Sequence, residues 1–153
     1  MKAIFEQLQP AHEPPREIKN GSQLKLALER LVRVLRTCPT IEIVAAIDRA
    51  AADLLLPAQA THVYYIAAEA LSNVVRHSQA RHCMMALRVV RGAVRLEVSD
   101  NGCGFDPSLS YHEGHGLRNL SGRATKLGTR LRVVSSTGGG TRMVIDLPKE
   151  LKG

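Results

Sequence analysis

Residues 83–105 read CMMALRVVRGAVRLEVSDNGCGF, and this stretch decides the fold. Its apolar and β-branched residues predict two strands, at residues 83–90 and 93–99. The two-residue connection Arg91-Gly92 between them suits a tight hairpin. The second strand ends at Asp100, where a glycine-rich loop begins. The hairpin is therefore expected to deliver a carboxylate into that loop.

Two helical patterns and one strand pattern precede the hairpin. Apolar residues recur at helical spacing in residues 22–35. Residues 40–47 are β-branched enough to favour a strand, although the alanines among them fit a helix equally well. Pro57 can open a helix, and residues 62–77 carry the strongest helical pattern of the chain. We expect this last helix to lead directly into the hairpin.

The chain after the hairpin predicts a loop, a helix and a second hairpin. Residues 101–116 contain five glycines or prolines and are expected to form a long, functional loop. Residues 117–127 have helical periodicity and stop at Gly128, a suitable helix C-cap. Residues 129–135 and 141–147 predict two strands around a glycine-rich turn. The whole order indicates an α+β fold, with helices covering one face of a largely antiparallel sheet.

Length and composition favour one domain with an aliphatic core. The 153 residues are 44% hydrophobic, and residues 1–20, with three prolines among polar residues, are predicted to be a linker or arm before a domain at 21–153. Aromatic residues make up 3% of the chain, which argues against a nucleic-acid site built on stacked bases. The net charge of +7 suggests affinity for anions, but the basic residues are scattered, as on an ordinary solvated surface.

The cysteines and the N-terminus indicate a cytoplasmic, soluble chain. Cys38, Cys83 and Cys103 are an odd number without paired spacing, which argues against a disulfide framework and a zinc site. No signal peptide and no run long enough to span a membrane is apparent.

Glu69 and Asn73 lie four residues apart on the long predicted helix, followed by Arg76 and His77. This spacing brings them to or near one stripe of the helix. A carboxylate and an amide oxygen there suit Mg²⁺ bound to phosphates, since Mg²⁺ takes few protein oxygens. The alternative is the wet face of an amphipathic helix.

Two glycine-rich segments could also contact a nucleotide. Asp100 can accept a hydrogen bond from an exocyclic amine, while Gly102 and Gly104 allow a flat ring to approach. An ordinary turn would have the same composition. Gly114-His115-Gly116-Leu117 precedes a helix, whose free N–H groups can meet phosphate oxygens. It lacks the pattern of a P-loop or of a dinucleotide fingerprint.

Taken in order, these motifs resemble the GHKL superfamily, which includes DNA gyrase, a heat-shock chaperone and histidine kinases. The matching segments are EALSNVVRH at residues 69–77, DNGCGF at 100–105, GHGL at 114–117 and GGGT at 138–141. EALSNVVRHSQA and GHGLRNL are most similar to the sensor kinases that include the nitrate/nitrite sensors. The resemblance implies a Bergerat-type two-layer α/β sandwich, whose mixed, mostly antiparallel sheet is covered on one face by about three helices.

The resemblance also implies a phosphate side of an ATP site. Glu69 would act as a base or polarising group near the γ-phosphate, and Asn73 would bind Mg²⁺. Arg76 and His77 would lie near the phosphates and the ribose. The phosphates would also be lined, beneath a short lid, by Gly114, His115, Gly116 and Leu117.

On the adenine side, the resemblance assigns Asp100 to the adenine amine. Gly102 and Gly104 would shape the adenine slot, Phe105 completes the motif, and Thr141 would reach adenine through water. The implied function is the catalytic domain of a two-component sensor histidine kinase, which uses ATP and Mg²⁺.

The chain departs from a complete kinase because no stretch resembles the acceptor motif Glu-Leu-His-Asp. We therefore expect a fragment of a larger, membrane-linked kinase, which binds ATP but does not phosphorylate itself. Its expected partners are its own dimerisation domain and a response regulator, not nucleic acid. Two alternatives remain: a stand-alone anti-sigma-type serine kinase with the same pocket, and a basic binding module that has lost nucleotide.

Overall fold

The computed structural model describes residues 17–106 and 115–148, without the side chain of His115. The helices are α1 (Gly21–Leu35), α2 (Arg49–Asp53), α3 (Pro57–Asn73), which continues into a π-helical turn (Val74–Ser78), and α4 (His115–Lys126). The strands are β1 (Glu42–Ile47), β2 (His82–Val90), β3 (Ala93–Asp100), β4 (Arg132–Ser135) and β5 (Thr141–Pro148).

Within these residues the strands form one mixed sheet in the order β1-β2-β3-β5-β4. β1 and β2 are parallel, and the other neighbours are antiparallel. A parallel pair needs a long crossover, and α2 and α3 provide it between β1 and β2. The predicted α+β class is confirmed, with one parallel pair in a largely antiparallel sheet.

The β2–β3 hairpin confirms the prediction from residues 83–105. Arg91 and Gly92 have φ values of 50° and 80°, and two positive φ values in a two-residue connection are typical of a type I′ turn. The register pairs Cys83 with Asp100, so the turn fixes where β3 ends. Asp100 therefore lies at the end of the sheet where β2 begins.

One face of the sheet packs against the helices. Alternate residues of β2, β3 and β5 are buried there, namely Cys83, Met85, Leu87, Val94, Leu96, Val98, Met143, Ile145 and Leu147. The helices contribute Leu24 and Leu28 from α1, Val63 and Leu71 from α3, and Leu120 from α4. The opposite face carries ion pairs such as Arg95–Asp146 and Arg142–Glu97. The period of two in these strands separates the two faces.

The structure differs from the sequence prediction by one added helix and by the starts of several elements, among them β1, which begins at Glu42 rather than at residue 40. α2 was not expected; its N-cap is Asp48, whose Oδ1 accepts a hydrogen bond of 2.9 Å from the Ala50 N–H. β4 begins at Arg132 rather than at residue 129. α4 begins at His115, so the predicted loop of residues 101–116 ends two residues early.

The late start of β4 follows from the end of α4. The N–H of Gly128 donates to Thr125 and that of Thr129 donates to Ala124, both at 3.0 Å. These are the paired bonds of a Schellman motif, with Gly128 at φ 72° in the left-handed position. Thr129 is therefore used to end the helix and cannot open the strand. The prediction that Gly128 caps the end of α4 is confirmed.

The expected arm at residues 1–20 lies mostly outside the described residues, and its boundary stays a prediction. Ile18, just before that boundary, is buried with 1% of its surface exposed. Its N–H donates to Thr61 Oγ1 at 3.1 Å, which ties this residue to α3.

Candidate functional site

The end of α3 brings three of the predicted residues together. Arg76 Nη2 lies 3.5 Å from Glu69 Oε1 and donates to Asn73 Oδ1 at 3.2 Å. The Arg76 and Glu69 side chains are 26% and 31% exposed, so the cluster is partly shielded from water. A carboxylate, an amide oxygen and a guanidinium thus converge on the last turns of this helix.

The helix then widens into a π-helical turn, Val74–Ser78, which ends at Gln79 with φ 54°. Such turns are rare in proteins, and those that occur often lie at functional sites. His77 lies on this turn with an exposed side chain, and its carbonyl accepts a bond of 3.6 Å from Cys103 Sγ. The turn is therefore in contact with the loop that follows β3.

Ser78 joins this helix end to the glycine-rich loop. Its carbonyl accepts a hydrogen bond of 2.7 Å from the Cys103 N–H. A Cβ at Gly102 would overlap that same carbonyl and lie 2.7 Å from the Ser78 Cβ. Gly102 is thus needed for close backbone approach, as much as for any ligand. Sequence reasoning missed Ser78, because its contribution is a backbone carbonyl.

Asp100 lies at the mouth of this loop. Its Oδ1 accepts a bond of 2.8 Å from the Gly102 N–H, and the Thr141 N–H also donates to the carboxylate. Burial raises the pKa of Asp100, and these two N–H bonds oppose that rise. The neighbouring Asn101 Oδ1 accepts from the N–H groups of Arg81 and His82 at 3.0 and 2.9 Å. The carboxylate is therefore held in place by backbone donors.

Thr141 and Phe105 meet at Ser135, the last residue of β4. Ser135 Oγ lies 2.8 Å from Thr141 Oγ1 and accepts a bond of 2.9 Å from the Phe105 N–H. Gly104 has φ 62°, and a Cβ there would overlap the Ser136 carbonyl. The loop is thus fixed between the π-helical turn and the β4–β5 turn. Sequence reasoning also missed Ser135.

The remaining predicted residues are only partly described. Gly114 lies outside the described residues, as does the side chain of His115. The backbone of His115 begins α4, and Leu117 packs partly buried against the core. Leu117 therefore has a packing role in this structure.

The arrangement has two chemically different ends joined through Ser78. At one end, a partly buried carboxylate lies beside the glycine-rich loop that packs on Ser78 and Ser136. At the other, oxygen ligands and a guanidinium suit phosphates and a hard cation. Among the described residues no group of three or more His, Cys, Asp and Glu could hold a metal ion. A cation here would need phosphates and water as its main ligands.

Comparison with known proteins decides the family. Residues 58–151 match the family described as Histidine kinase-, DNA gyrase B-, and HSP90-like ATPase, which is more than half of the chain. The chain belongs to this ATPase family. The resemblance predicted from the four motifs is confirmed.

Relatives of this ATPase domain are sensor kinases. The chain is 37% identical over 87 residues to the sensor histidine kinase LiaS of Bacillus subtilis, covering 57% of this chain and 24% of that protein. It is 32% identical over 132 residues to a NarQ homolog of Haemophilus influenzae, covering 85% of this chain and 23% of that protein. The chain thus spans about a quarter of the length of these relatives. They favour the sensor-kinase reading over the anti-sigma alternative.

Solved structures confirm the fold. The histidine kinase domain of the Erythrobacter litoralis EL346 blue-light activated kinase has a TM-score of 0.69 at 20% identity, covering 95% of this chain and 70% of that chain. The ATP binding domain of PrrB from Mycobacterium tuberculosis has a TM-score of 0.66 at 19% identity, covering 89% and 99% respectively. The ATPase domain therefore has the architecture of histidine kinase catalytic domains.

In residues 17–106 and 115–148, no helix combines the length and apolar character needed to cross a membrane.

Proposed function

We propose that this ATPase domain binds ATP with Mg²⁺ and donates the γ-phosphate to a histidine on the dimerisation domain of a two-component sensor kinase. The observation that carries the proposal is the junction at Ser78. Its carbonyl bond to Cys103 and its contact with Gly102 hold the Asp100 loop against the helix that carries Glu69 and Asn73. An adenine pocket and a phosphate pocket are thereby neighbouring parts of one site.

Adenine binds at the Asp100 end. The carboxylate accepts a hydrogen bond from the exocyclic amine, and this bond gains strength from the partly buried surroundings. Gly102 and Gly104 let the loop lie directly against the Ser78 and Ser136 carbonyls, which shapes the adenine slot. Thr141 Oγ1, 2.8 Å from Ser135 Oγ, contacts the ring through water. A purine with a carbonyl in place of the amine would set an acceptor against the carboxylate. ATP is therefore preferred over GTP.

The phosphates bind at the other end. The amide oxygen of Asn73 and the phosphate oxygens suit Mg²⁺, which when bound neutralises phosphate charge. Arg76, which contacts Glu69 and Asn73 here, is within reach of the same oxygens. Glu69 is the base or polarising group, while His77 and residues 114–117 contribute further contacts to the ribose and phosphates. Positioning and charge neutralisation are what phosphoryl transfer chiefly requires.

The partners follow from the reaction. The domain needs a phosphoacceptor histidine, supplied by the dimerisation domain, and the phosphoryl group then passes to a response regulator. The free thiols Cys38, Cys83 and Cys103 fit a reducing compartment, so we place the domain on the cytoplasmic side of a membrane-bound kinase.

Phosphotransfer with γ-labelled ATP tests this function. The chain alone is expected to remain unlabelled. Adding the isolated dimerisation domain of a nitrate/nitrite-sensor-like kinase should give an acid-labile, histidine-linked label on that domain, and Glu69→Gln should abolish it. Label on a serine of a supplied anti-sigma antagonist, with none on the histidine domain, would overturn the proposal in favour of the serine-kinase alternative.

A further inference from the structure

A cleft of about 320 Å³ lies between α1 and β1. It is lined by Lys25, Glu29 and Arg33 from the helix, by Arg36 at the helix C-cap, and by Ala45 and Ile47 from the strand. None of these residues belongs to the proposed nucleotide site. The cleft is therefore a second concave surface of this domain.

The helical wall of the cleft is positively charged. Residues 25, 29, 33 and 36 recur at helical spacing, which places them on one stripe of α1. Three are cations and one is an acid. Within residues 17–106 and 115–148, Lys25 and Arg33 form no ion pair, and Arg33 is exposed. The stripe thus offers unneutralised charge to an acidic ligand.

Within residues 17–106 and 115–148, the floor of the cleft is an edge of the sheet that no further strand covers. β1 is the end strand, and the N–H groups of Glu42 and Asp48 bond toward the β2 side at 2.8 and 2.9 Å. Because backbone groups alternate along a strand, those of Ile43, Ala45 and Ile47 point to the free edge. Such an edge is a template for an added strand.

Arg36 limits where such a strand can pair. Its Nε donates to the Ile43 carbonyl at 3.0 Å, which occupies the first outward acceptor of the edge. Ala45 and Ile47 remain as the pairing positions, and their side chains face the cleft beneath Lys25 and Arg33. The part of the edge that can pair therefore begins at Ala45, and the positive charges of Lys25 and Arg33 lie over it.

We propose that this cleft binds an acidic, extended peptide segment, which adds a strand to β1. Its acidic side chains face Lys25, Arg33 and Arg36, while the alternate side chains continue the opposite face of the sheet beside Val44, which is 49% exposed. A second copy of this chain fits poorly, because its own basic stripe would meet the first. Charge complementarity thus selects an acidic partner over self-association.

Binding of a fluorescent, blocked octapeptide of alternating glutamate and valine tests the proposal. The double variant Lys25→Glu/Arg33→Glu should weaken binding about tenfold or more, since two attractions become repulsions. Arg30→Glu is the matched control, because Arg30 is exposed on α1 but does not line the cleft, and it should change affinity by less than about twofold. Equal loss in both variants, or none in either, would overturn the proposal.

Two further measurements separate strand addition from simple attraction. In amide NMR spectra, the peptide should shift the Ala45 and Ile47 signals, whereas the same peptide N-methylated at alternate residues should not bind. Ala45→Pro should abolish binding while the thermal midpoint stays within a few degrees, since Pro is tolerated on an edge strand whose N–H faces outward. If the N-methylated peptide binds equally, or inorganic phosphate produces the same amide shifts, the cleft is an anion site without strand addition.

Discussion

Gly102 is the residue at which the end of α3 and the loop after β3 touch. A Cβ there would overlap the Ser78 carbonyl, which also accepts the Cys103 N–H. Both partners are backbone atoms, so neither can move without displacing the π-helical turn or the loop. The sequence pointed to Gly102 as space for a ligand, whereas the structure gives it a packing role as well.

Gly102→Ala is therefore expected to lower the free energy of unfolding by about 1–3 kcal/mol. Gly122→Ala is the matched control, because a Cβ at Gly122 in α4 meets nothing within 4 Å. That change should raise stability by about 0.5–1 kcal/mol, since Ala favours a helix. Urea unfolding of both variants measures the difference. A Gly102→Ala protein as stable as the parent would show that the loop does not pack on Ser78.

The ionised side chain of Asp100 should lower the stability of the fold at neutral pH. Burial raises its pKa above the ordinary value of 3.8, so the folded state holds this proton more tightly than the unfolded state. The resulting stabilisation is complete below pH 3.8 and is lost as pH rises through the folded pKa. The stability of Asp100→Asn relative to wild type should therefore rise as pH increases from about 4 to 7. A relative stability that falls over this range, in urea unfolding at several pH values, would contradict the assignment.

At the scale of elements, local sequence patterns were sufficient to predict the long helix and the first hairpin. α3 has a sustained helical period and Pro57 at its first turn, while Arg91-Gly92 specifies a type I′ turn through its own backbone preferences. α2 escaped prediction because five residues carry too little periodicity, and its cap is a single aspartate. The start of β4 was misplaced because Thr129 serves the end of α4.

The candidate site was predicted in its polar residues but not in its framework. Helical spacing predicted that Glu69, Asn73 and Arg76 lie near one another, and the resemblance to the ATPase superfamily selected them as site residues. Ser78 and Ser135 were not, because they bind the loop through contacts between residues 25 to 30 positions apart. Such pairings depend on the sheet register, which the sequence does not encode locally.

The outer face of the sheet is stabilised by charge across strands. Asp146 accepts bonds from Arg95 Nε at 2.7 Å and Nη2 at 3.0 Å, and also pairs with Arg132. These bonds, chiefly that from Arg95, lower the pKa of Asp146 below 3.8. Its stabilisation is thus present above pH 3.8 and is lost as pH falls through the lower, folded pKa.

Asp146→Asn should therefore destabilise the domain by about 1–2 kcal/mol at pH 7, and by progressively less below pH 3.8. Thermal unfolding from pH 7 to pH 3 measures the difference between variant and parent. Asp48→Asn serves as the control, because Asn caps α2 as well as Asp does. A pH-independent difference would exclude the ion pairs as the cause.

At the scale of the whole molecule, the sheet order positions the site. β3 lies between β2 and β5, so Asp100 at its end is flanked by Cys83 on one side and Thr141 on the other. The crossover that makes β1 and β2 parallel also directs the end of α3 toward the start of β2, where the loop after β3 returns. The fold thus brings together residues between positions 69 and 141 at one end of the central strands.

Calorimetric titration with ATP and Mg²⁺ tests the central claim, that Asp100 anchors adenine in a working nucleotide site. The parent protein should bind ATP, Asp100→Asn should lose about tenfold to a hundredfold in affinity because its charge-assisted bond is lost, and Asp48→Asn should bind as the parent does. Absence of heat from the folded parent would contradict ATP binding, and equal affinity of the parent and Asp100→Asn would contradict the role of Asp100 in binding adenine.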